Sequence, residues 1–380
     1  MPEAQDAICG ALRTELAELG RLDRAQARTM PPSYYTSESF LDLEKEALFR
    51  GDWVCIGHQG EVPAPGDFVA TEVADEQLVM LRDSGGTLRV LSNVCRHRGN
   101  MLVEGTGNRR ALVCQYHAWT YDLDGRLKTA PLMSGVEGFD IKACALPEFR
   151  SEIWNGFVFV NLDGNAAPLA PQLLELEPLL RNYHPEQRHL VFLEETVWQT
   201  NWKNLAENFM EGYHIASTHP RTLQPITPTA LCRKLPGGAA WTGYRSYYDP
   251  SVGERGPYHP DLTDDEKRNT VMLQVFPSLV IAVATHFTLF MCLRPEAADK
   301  VAIRWGVAGF IEDPDSPVVR DYVALCNAFN AEDRAKLETL QRAQRTRYMP
   351  GGRLAPEDYE GTIWDFLGYM SRRLGTAPDA

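Results

Sequence analysis

Cys95-Arg96-His97-Arg98-Gly99, followed by Cys114-Gln115-Tyr116-His117-Ala118-Trp119, is the stretch on which the reading of this chain turns. It sets two thiols and two imidazoles in paired C-x-H and C-x-x-H steps, each flanked by strand-like sequence. One zinc ion could be held tetrahedrally by such a set. A two-iron cluster could also be held, with thiolates on one iron and imidazoles on the other, at a higher reduction potential than an all-Cys cluster. The spacing favours the cluster, because zinc modules usually pair Cys with Cys and His with His. A satisfied core position accounts well for a lone Cys or His but poorly for this doubled pattern.

Outward from these two steps, residues 53–161 have a β-rich texture cut by the turn dipeptides Pro65-Gly66, Gly85-Gly86 and Asp124-Gly125. Asp163-Gly164-Asn165, two alanines and Pro168 read as the exit linker. On the N-terminal side, Ile8, Leu12, Leu16, Leu19 and Leu22 predict a helix over 7–27 before Pro31 and Pro32, and a second helix is expected over 39–50, ending at Gly51. Beyond the linker the pattern gives a helical piece, a strand over 191–200 and a long helix from near Trp202. Strands are then expected at 239–248, 271–284, 286–294 and 300–311, followed by helices over 316–347 and 357–373. The expected fold class is α+β. It has N-terminal helices (1–50) packing on the last domain, an all-β module (51–163), and a domain (164–380) with a mostly antiparallel sheet flanked by helices.

Composition narrows the function. The 380 residues are 44% hydrophobic and 23% charged, which is ordinary globular composition. Lys plus Arg total 38 against 51 Asp plus Glu, a net charge of -13 that argues against a nucleic-acid partner. The longest apolar runs, such as Leu279 to Ala284, fall far short of the roughly 20 residues that span a bilayer, so no membrane association is expected. Glu3, Asp6, Arg13, Glu15, Glu18 and Arg21 interrupt any secretory signal, and a cytoplasmic address is expected. The eight cysteines are therefore read as thiols, two of them ligands, and not as disulfides.

A second constellation follows in Glu207-Asn208-Phe209-Met210-Glu211-Gly212-Tyr213-His214 and His219-Pro220. Glu211 and His214, at i and i+3, are expected to share a helix face. Pro220 and the Ser217-Thr218 pair would end the helix after His214 and let His219 fold back toward it. Two neutral imidazoles with one carboxylate and open positions form the facial arrangement of non-haem Fe(II) oxygenases.

With both constellations in place, the chain resembles the oxygenase component (alpha subunit) of the Rieske non-haem iron oxygenases. The matching text is Cys95 to Gly99, Cys114 to Trp119, and Thr120-Tyr121-Asp122-Leu123-Asp124-Gly125, with the His214/His219 stretch about a hundred residues later. The resemblance implies an N-terminal Rieske domain holding a [2Fe–2S] cluster, with Cys95 and Cys114 on one iron and His97 and His117 on the other. It implies a helix-grip-like catalytic domain in which His214 and His219 bind a mononuclear Fe(II). The family's third ligand is an Asp on a late helix, here Asp333, with Glu332 as runner-up. Read without the resemblance, Asn330 would be an N-cap and Glu332 and Asp333 the acidic residues of a first helical turn. Glu211 would bind no iron. It would bridge to a Rieske histidine of the neighbouring subunit in a head-to-tail homotrimer. Asn208 either faces the open side of the iron or is a structural helix-face amide. Many members carry Asp where this chain has Glu211; Glu there is similar to the carnitine and betaine monooxygenase group.

No GxGxxG strand-helix signature is found, so electrons from NAD(P)H would come through a separate flavin/iron–sulfur reductase. Phe209, Tyr213, Trp241, Tyr244, Tyr247, Tyr248, Phe276, Phe287, Trp305, Trp364 and Phe366 are candidates for an aromatic-lined pocket. Such a pocket suits either an arene or a quaternary ammonium; Glu211 and the similarity to the carnitine and betaine group imply a small quaternary-ammonium or N-methylated substrate oxidised with O2, and the alternatives are an aromatic-ring hydroxylase or O-demethylase. An electron-transfer Rieske protein without a catalytic iron would leave more than half the chain unexplained. The remaining histidines, His58, His184, His189, His259 and His286, have no partner pattern and read as structural or surface residues.

Overall fold

Residues 54–161 form short antiparallel strands. The computed structural model describes residues 2–253, 256–346 and 348–376. It separates Phe49–Ala167 from a second unit made of Met1–Leu48 and Pro168–Ala380. In the first unit a four-stranded sheet runs Leu88–Ser92, Glu76–Arg82, Asp67–Val73, Thr106–Asn108, and a three-stranded sheet runs Val54–His58, Phe157–Asn161, Arg150–Trp154. A small meander, Leu112–Val113, Thr120–Tyr121 and Leu127–Thr129, completes it. Phe68, Val79, Leu81, Leu91, Trp119 and Tyr121 pack into one core with Cys95 and Cys114. Each large apolar side chain fully buried there stabilises the fold by about 1.5–3 kcal/mol. The Pro65-Gly66 turn requires its glycine: φ is 91° and a Cβ would lie 2.6 Å from the Arg109 carbonyl oxygen.

The second unit is built on a seven-stranded antiparallel sheet. Its order is His189–Trp198, Lys300–Gly309, Phe287–Ala297, Leu279–Val283, Asn269–Val275, Trp241–Tyr247, Cys232–Lys234. The single strand expected over 271–284 is two. Pro277 has no N–H for the ladder, so the chain turns at Phe276-Pro277-Ser278 and Val275 pairs back with Leu279. Two long helices accompany the sheet, Pro317–Ala343 and Glu357–Leu374. The first buries Val319, Cys326, Asn330, Leu337 and Gln341, a stripe at spacings of seven and four. The second sets Tyr369 and Phe366 against Phe276, with ring centroids 4.5 and 5.8 Å away.

Two helical expectations are corrected. The N-terminal helix is Pro2–Leu19, not 7–27, and is followed by a separate short turn at Arg24–Gln26. The helix from Trp202 is not long: it ends at Phe209. Glu211 and His214 therefore do not share its face. The chain turns sharply through Gly212, where a Cβ would lie 2.3 Å from the Cys232 sulfur, and a one-turn helix follows at Ile215–Thr218.

Short as it is, the Trp202–Phe209 helix is firmly held. From the N-terminal segment, Glu44 accepts from the Trp202 indole at 2.8 Å and pairs with Lys203 at 2.7 Å, both charges fully buried; Tyr35 donates to Glu207 at 2.8 Å. Burial pushes the Glu207 carboxyl up to about 7. Removing one partner from a buried pair such as Glu44–Lys203 costs about 3–5 kcal/mol. On the other side, Gln341 accepts from the Asn201 N–H (2.7 Å) and the Asn204 amide (3.0 Å), while the Gln344 amide donates to Asn204 (2.9 Å). These buried amides fasten the 202–209 helix to the helix Pro317–Ala343, which carries Asp333.

Candidate metal centres

In the β unit the two ligand steps adopt the same turn. The Cys95 carbonyl accepts from the Gly99 N–H at 3.0 Å, and the Cys114 carbonyl from the Ala118 N–H at 2.9 Å. Both turns close through a left-handed residue, Gly99 (φ 76°) and Ala118 (φ 57°). Each turn buries its thiol, at 3% exposure for Cys95 and 2% for Cys114, and leaves its imidazole exposed. The His97 and His117 ring centroids are 4.6 Å apart, and His97 stacks on Trp119 at 4.9 Å. Tyr121, known from the sequence only as part of the motif, brings its hydroxyl within 3.4 Å of the Cys95 sulfur and accepts from the Arg96 N–H.

The donor chemistry fits a two-iron cluster. A tetrahedral zinc would draw its four ligand atoms to within roughly 4 Å of one another. Among the described residues, these four are not one of the sets converging within 4.8 Å. Thiols inside and imidazoles outside also suit a carrier whose electrons leave at the histidine edge.

In the second unit, His214 and His219 bracket the one-turn helix Ile215–Thr218, which brings their Nε2 atoms to 3.2 Å. Asp333 comes from the middle of the helix Pro317–Ala343 and places Oδ1 at 3.0 Å from His219 Nε2 and 3.6 Å from His214 Nε2. Asn330 is likewise internal to that helix, so the capping explanation of Asn330, Glu332 and Asp333 does not hold. Glu332 serves the other side of the site. Its carboxylate accepts from His219 Nδ1 at 2.8 Å and from the Thr222 hydroxyl at 2.6 Å.

Glu211 does for His214 what Glu332 does for His219. Its Oε1 is 2.5 Å from His214 Nδ1, and its Oε2 accepts from the His214 N–H at 3.0 Å and also from the Tyr213 N–H. Burial pushes the His214 pKa down, but the Glu211 and Asp333 carboxylates outweigh it and hold the imidazole above its ordinary range. With each Nδ1–H given to a carboxylate, each Nε2 presents a lone pair. Two lone pairs and a buried carboxylate oxygen without a hydrogen-bond partner thus face one point. Such a site calls for a cation, and this donor set suits Fe(II).

His214, His219, Asp333 and Asn208 open onto a cavity. Of the aromatic candidates, Phe209, Tyr244 and Tyr248 line it. Trp241, Phe276, Phe287, Trp305 and Phe366 are buried without lining it, and Tyr213 is exposed. Tyr322 and Phe329 also line the cavity; they lie on the same helix as Asp333, at the preceding i−11 and i−4 positions, a helical face that could have been projected from the sequence once Asp333 was in hand. Among the described residues, no Lys or Arg lines the cavity, and the one lining carboxylate is Asp333.

Comparison with known proteins agrees with this geometry. Residues 52–140 match the Rieske [2Fe-2S] domain and residues 180–376 the ring hydroxylating alpha subunit (catalytic domain). The carnitine monooxygenase oxygenase subunit of Escherichia coli (strain K12) is 36% identical over 229 residues, covering 60% of this chain and 61% of that protein's length. The 2-aminobenzenesulfonate 2,3-dioxygenase subunit alpha of an Alcaligenes sp is 28% identical over 91% of this chain and 95% of its own. The quaternary ammonium Rieske monooxygenase CntA, crystallised with gamma-butyrobetaine, superposes with a TM-score of 0.80 at 26% identity, covering 93% of this chain and 97% of that one. No helix among the described residues is long and apolar enough to cross a membrane. The chain belongs to the ring-hydroxylating oxygenase alpha subunits, with a Rieske [2Fe–2S] domain ahead of the family's catalytic domain.

Proposed function

We propose that this chain is the terminal oxygenase of a multicomponent system. It would hydroxylate a small quaternary-ammonium or N-methylated substrate with O2 and electrons that a separate NAD(P)H reductase delivers. The observation that carries this reading is the convergence of His214, His219 and Asp333 on a cavity walled by Tyr244, Tyr248, Tyr322 and Phe329. Aromatic faces attract a quaternary ammonium through cation–π contact while excluding water. The resemblance to carnitine and quaternary-ammonium monooxygenases supports the same substrate class.

In this reading residues 51–163 are the Rieske domain, with Cys95, His97, Cys114 and His117 as cluster ligands. Residues 164–380 are the catalytic domain, with the N-terminal helices 1–50 packed on it and His214, His219 and Asp333 as iron ligands. When bound, the mononuclear iron supplies an open-sided centre for O2 and the [2Fe–2S] cluster a one-electron carrier. The chain's own residues do the positioning. Glu211 and Glu332 fix the tautomers of His214 and His219. Asn208 lines the same cavity, where it could face the open side of the iron. Glu211, held at His214 Nδ1, would hand electrons on from a Rieske histidine of a neighbouring copy in a head-to-tail homotrimer. The net charge of -13 suits docking against a basic reductase face, and eight cysteines outside any disulfide suit the cytoplasm.

A substrate panel tests the reading. Betaines and carnitine should give coupled NAD(P)H and O2 consumption with release of formaldehyde, because a hydroxylated N-methyl group collapses as a hemiaminal. Turnover confined to arenes would instead select the aromatic-ring reading, which the predominantly apolar cavity and the 2-aminobenzenesulfonate dioxygenase relative favour.

A further inference from the structure

His184 and His259 read as isolated structural histidines in the sequence, and the structure brings them together. His184 Nε2 lies 2.7 Å from Asp261 Oδ2, and His259 Nδ1 lies 3.7 Å from the same oxygen. The two ring centroids are 4.2 Å apart with planes at 45°. One donor atom from each of His184, His259 and Asp261 falls within 4.8 Å of the other two. Among the described residues, the only other group of three or more with this property is His214, His219 and Asp333. None of the three residues lines the substrate cavity.

We propose that His184, His259 and Asp261 form a second metal site, separate from the oxygenase centre, which takes Zn2+. Two imidazoles and a carboxylate are a zinc donor set that leaves the fourth tetrahedral position to water. The surroundings prepare the ligands. His184 Nδ1 accepts from the Gln187 side-chain amide at 3.2 Å and lies 3.4 Å from Glu186 Oε1, so Nε2 holds the proton shared with Asp261 and an ion would take that proton's place. The His259 ring is braced against Phe310, with centroids 5.8 Å apart at 27°. His184 itself holds φ 47°, an uncommon backbone for a residue with a side chain, which sets its ring off the corner between two short helical turns. A shared proton satisfies His184 and Asp261 but leaves His259 Nδ1 with only the Asp261 N–H at 3.4 Å; an ion would engage all three.

Occupancy would tie the stretch around Tyr258–Leu262 to the corner at His184. That stretch lies between the strands Trp241–Tyr247 and Asn269–Val275. Tyr248 and Thr270, at its two roots, line the cavity and share a hydrogen bond of 2.9 Å. The ion would therefore steady one wall of the cavity while touching no substrate.

The test uses the full chain with cluster and iron loaded. Zn2+ is added, excess is removed by gel filtration, and zinc and iron are counted by elemental analysis. One zinc per chain should be retained with iron unchanged. His259→Ala and Asp261→Asn should each weaken zinc binding by roughly tenfold or more, with no loss of iron. Asp261 is exposed, so Asp261→Asn keeps the test valid if His259→Ala misfolds. His214→Ala should retain this zinc. Failure to retain zinc, retention that displaces iron or disappears with His214→Ala, or equal retention by Asp261→Asn would overturn the site.

Discussion

The two candidate metal centres differ in how far apart their donor residues lie along the chain and in what holds them. In the β unit each pair of donors sits inside one short turn, closed by a single Cys carbonyl to N–H bond, and the donor spacing is visible as C-x-H and C-x-x-H. In the catalytic unit Glu332 reaches His219 across 113 residues, and Asp333 beside it completes the set. The first site is a local motif that happens to be folded. The second is made by the fold, through the buried Asn201–Asn204–Gln341–Gln344 amides that fasten one helix to the other. Loss of a ligand should therefore behave differently in the two regions, and the difference can be measured.

The largest effect is expected at the converging carboxylate. Asp333→Ala removes the one buried oxygen that faces both imidazoles, so it should abolish mononuclear iron binding and lower substrate-dependent O2 uptake by more than about a hundredfold. The cluster absorbance should be untouched. His214→Ala should do the same. Substrate-coupled O2 uptake surviving in either variant would mean that the catalytic unit is not the oxygen-activating one.

Next comes Glu211→Gln. The amide keeps the side chain's size but supplies no charge to His214 Nδ1 and none to a neighbouring subunit. Both metals should remain by elemental analysis while steady-state turnover falls by roughly a hundredfold. The distinguishing readout is the cluster, which should stay reduced in the presence of substrate and O2. Prompt reoxidation would show that electrons pass from one region to the other without Glu211.

Glu332→Gln should have a smaller effect, because it loosens one ligand without removing it. Iron affinity should drop by about 10–100-fold, with turnover recovering when Fe(II) is added in excess. Recovery by added iron separates a ligand-orienting residue from a ligand, and it is the recovery that Asp333→Ala should lack.

The same contrast governs what the sequence reveals. The Cys95/His97 and Cys114/His117 turns are short enough for spacing alone to favour a cluster over zinc. His214 and His219 were legible by their spacing, but the helix expected to end after His214 has already ended at Phe209, and it is a separate turn, Ile215–Thr218, stopping at His219 before Pro220, that brings the two rings together. The break in the helix expected around Glu211 was not legible, because what breaks it is the close approach of Gly212 to Cys232, a tertiary contact. Asp333 looked from its neighbours like part of a first helical turn. The helix expected over 316–347 already placed it well inside a helix, and the buried stripe from Val319 to Gln341 bears out that longer element. The split of residues 271–284 into two strands was readable from Pro277 and was overridden by the apolar run around it. Tyr322 and Phe329, at i−11 and i−4 from Asp333, could have been projected onto its helix face, but without Asp333 fixed as a ligand that face looks the same as core packing.

The smallest expected effect returns to the β unit. Tyr121 is buried, its hydroxyl lies 3.4 Å from the Cys95 sulfur, and it is anchored from the other side by the Arg96 N–H. With a cluster bound, Cys95 would be a thiolate accepting a hydrogen bond from that hydroxyl, which would draw charge from the cluster and raise its potential. Tyr121→Phe keeps the packing and deletes the donor. The midpoint potential should fall by roughly 60 mV, the one-electron equivalent of a tenfold shift in equilibrium. Mononuclear iron content should not change. A potential that does not move would mean that Tyr121 only fills the core under the Cys95 turn. A loss of mononuclear iron would contradict the independence of the two regions, one held by its own turns and the other by its fold.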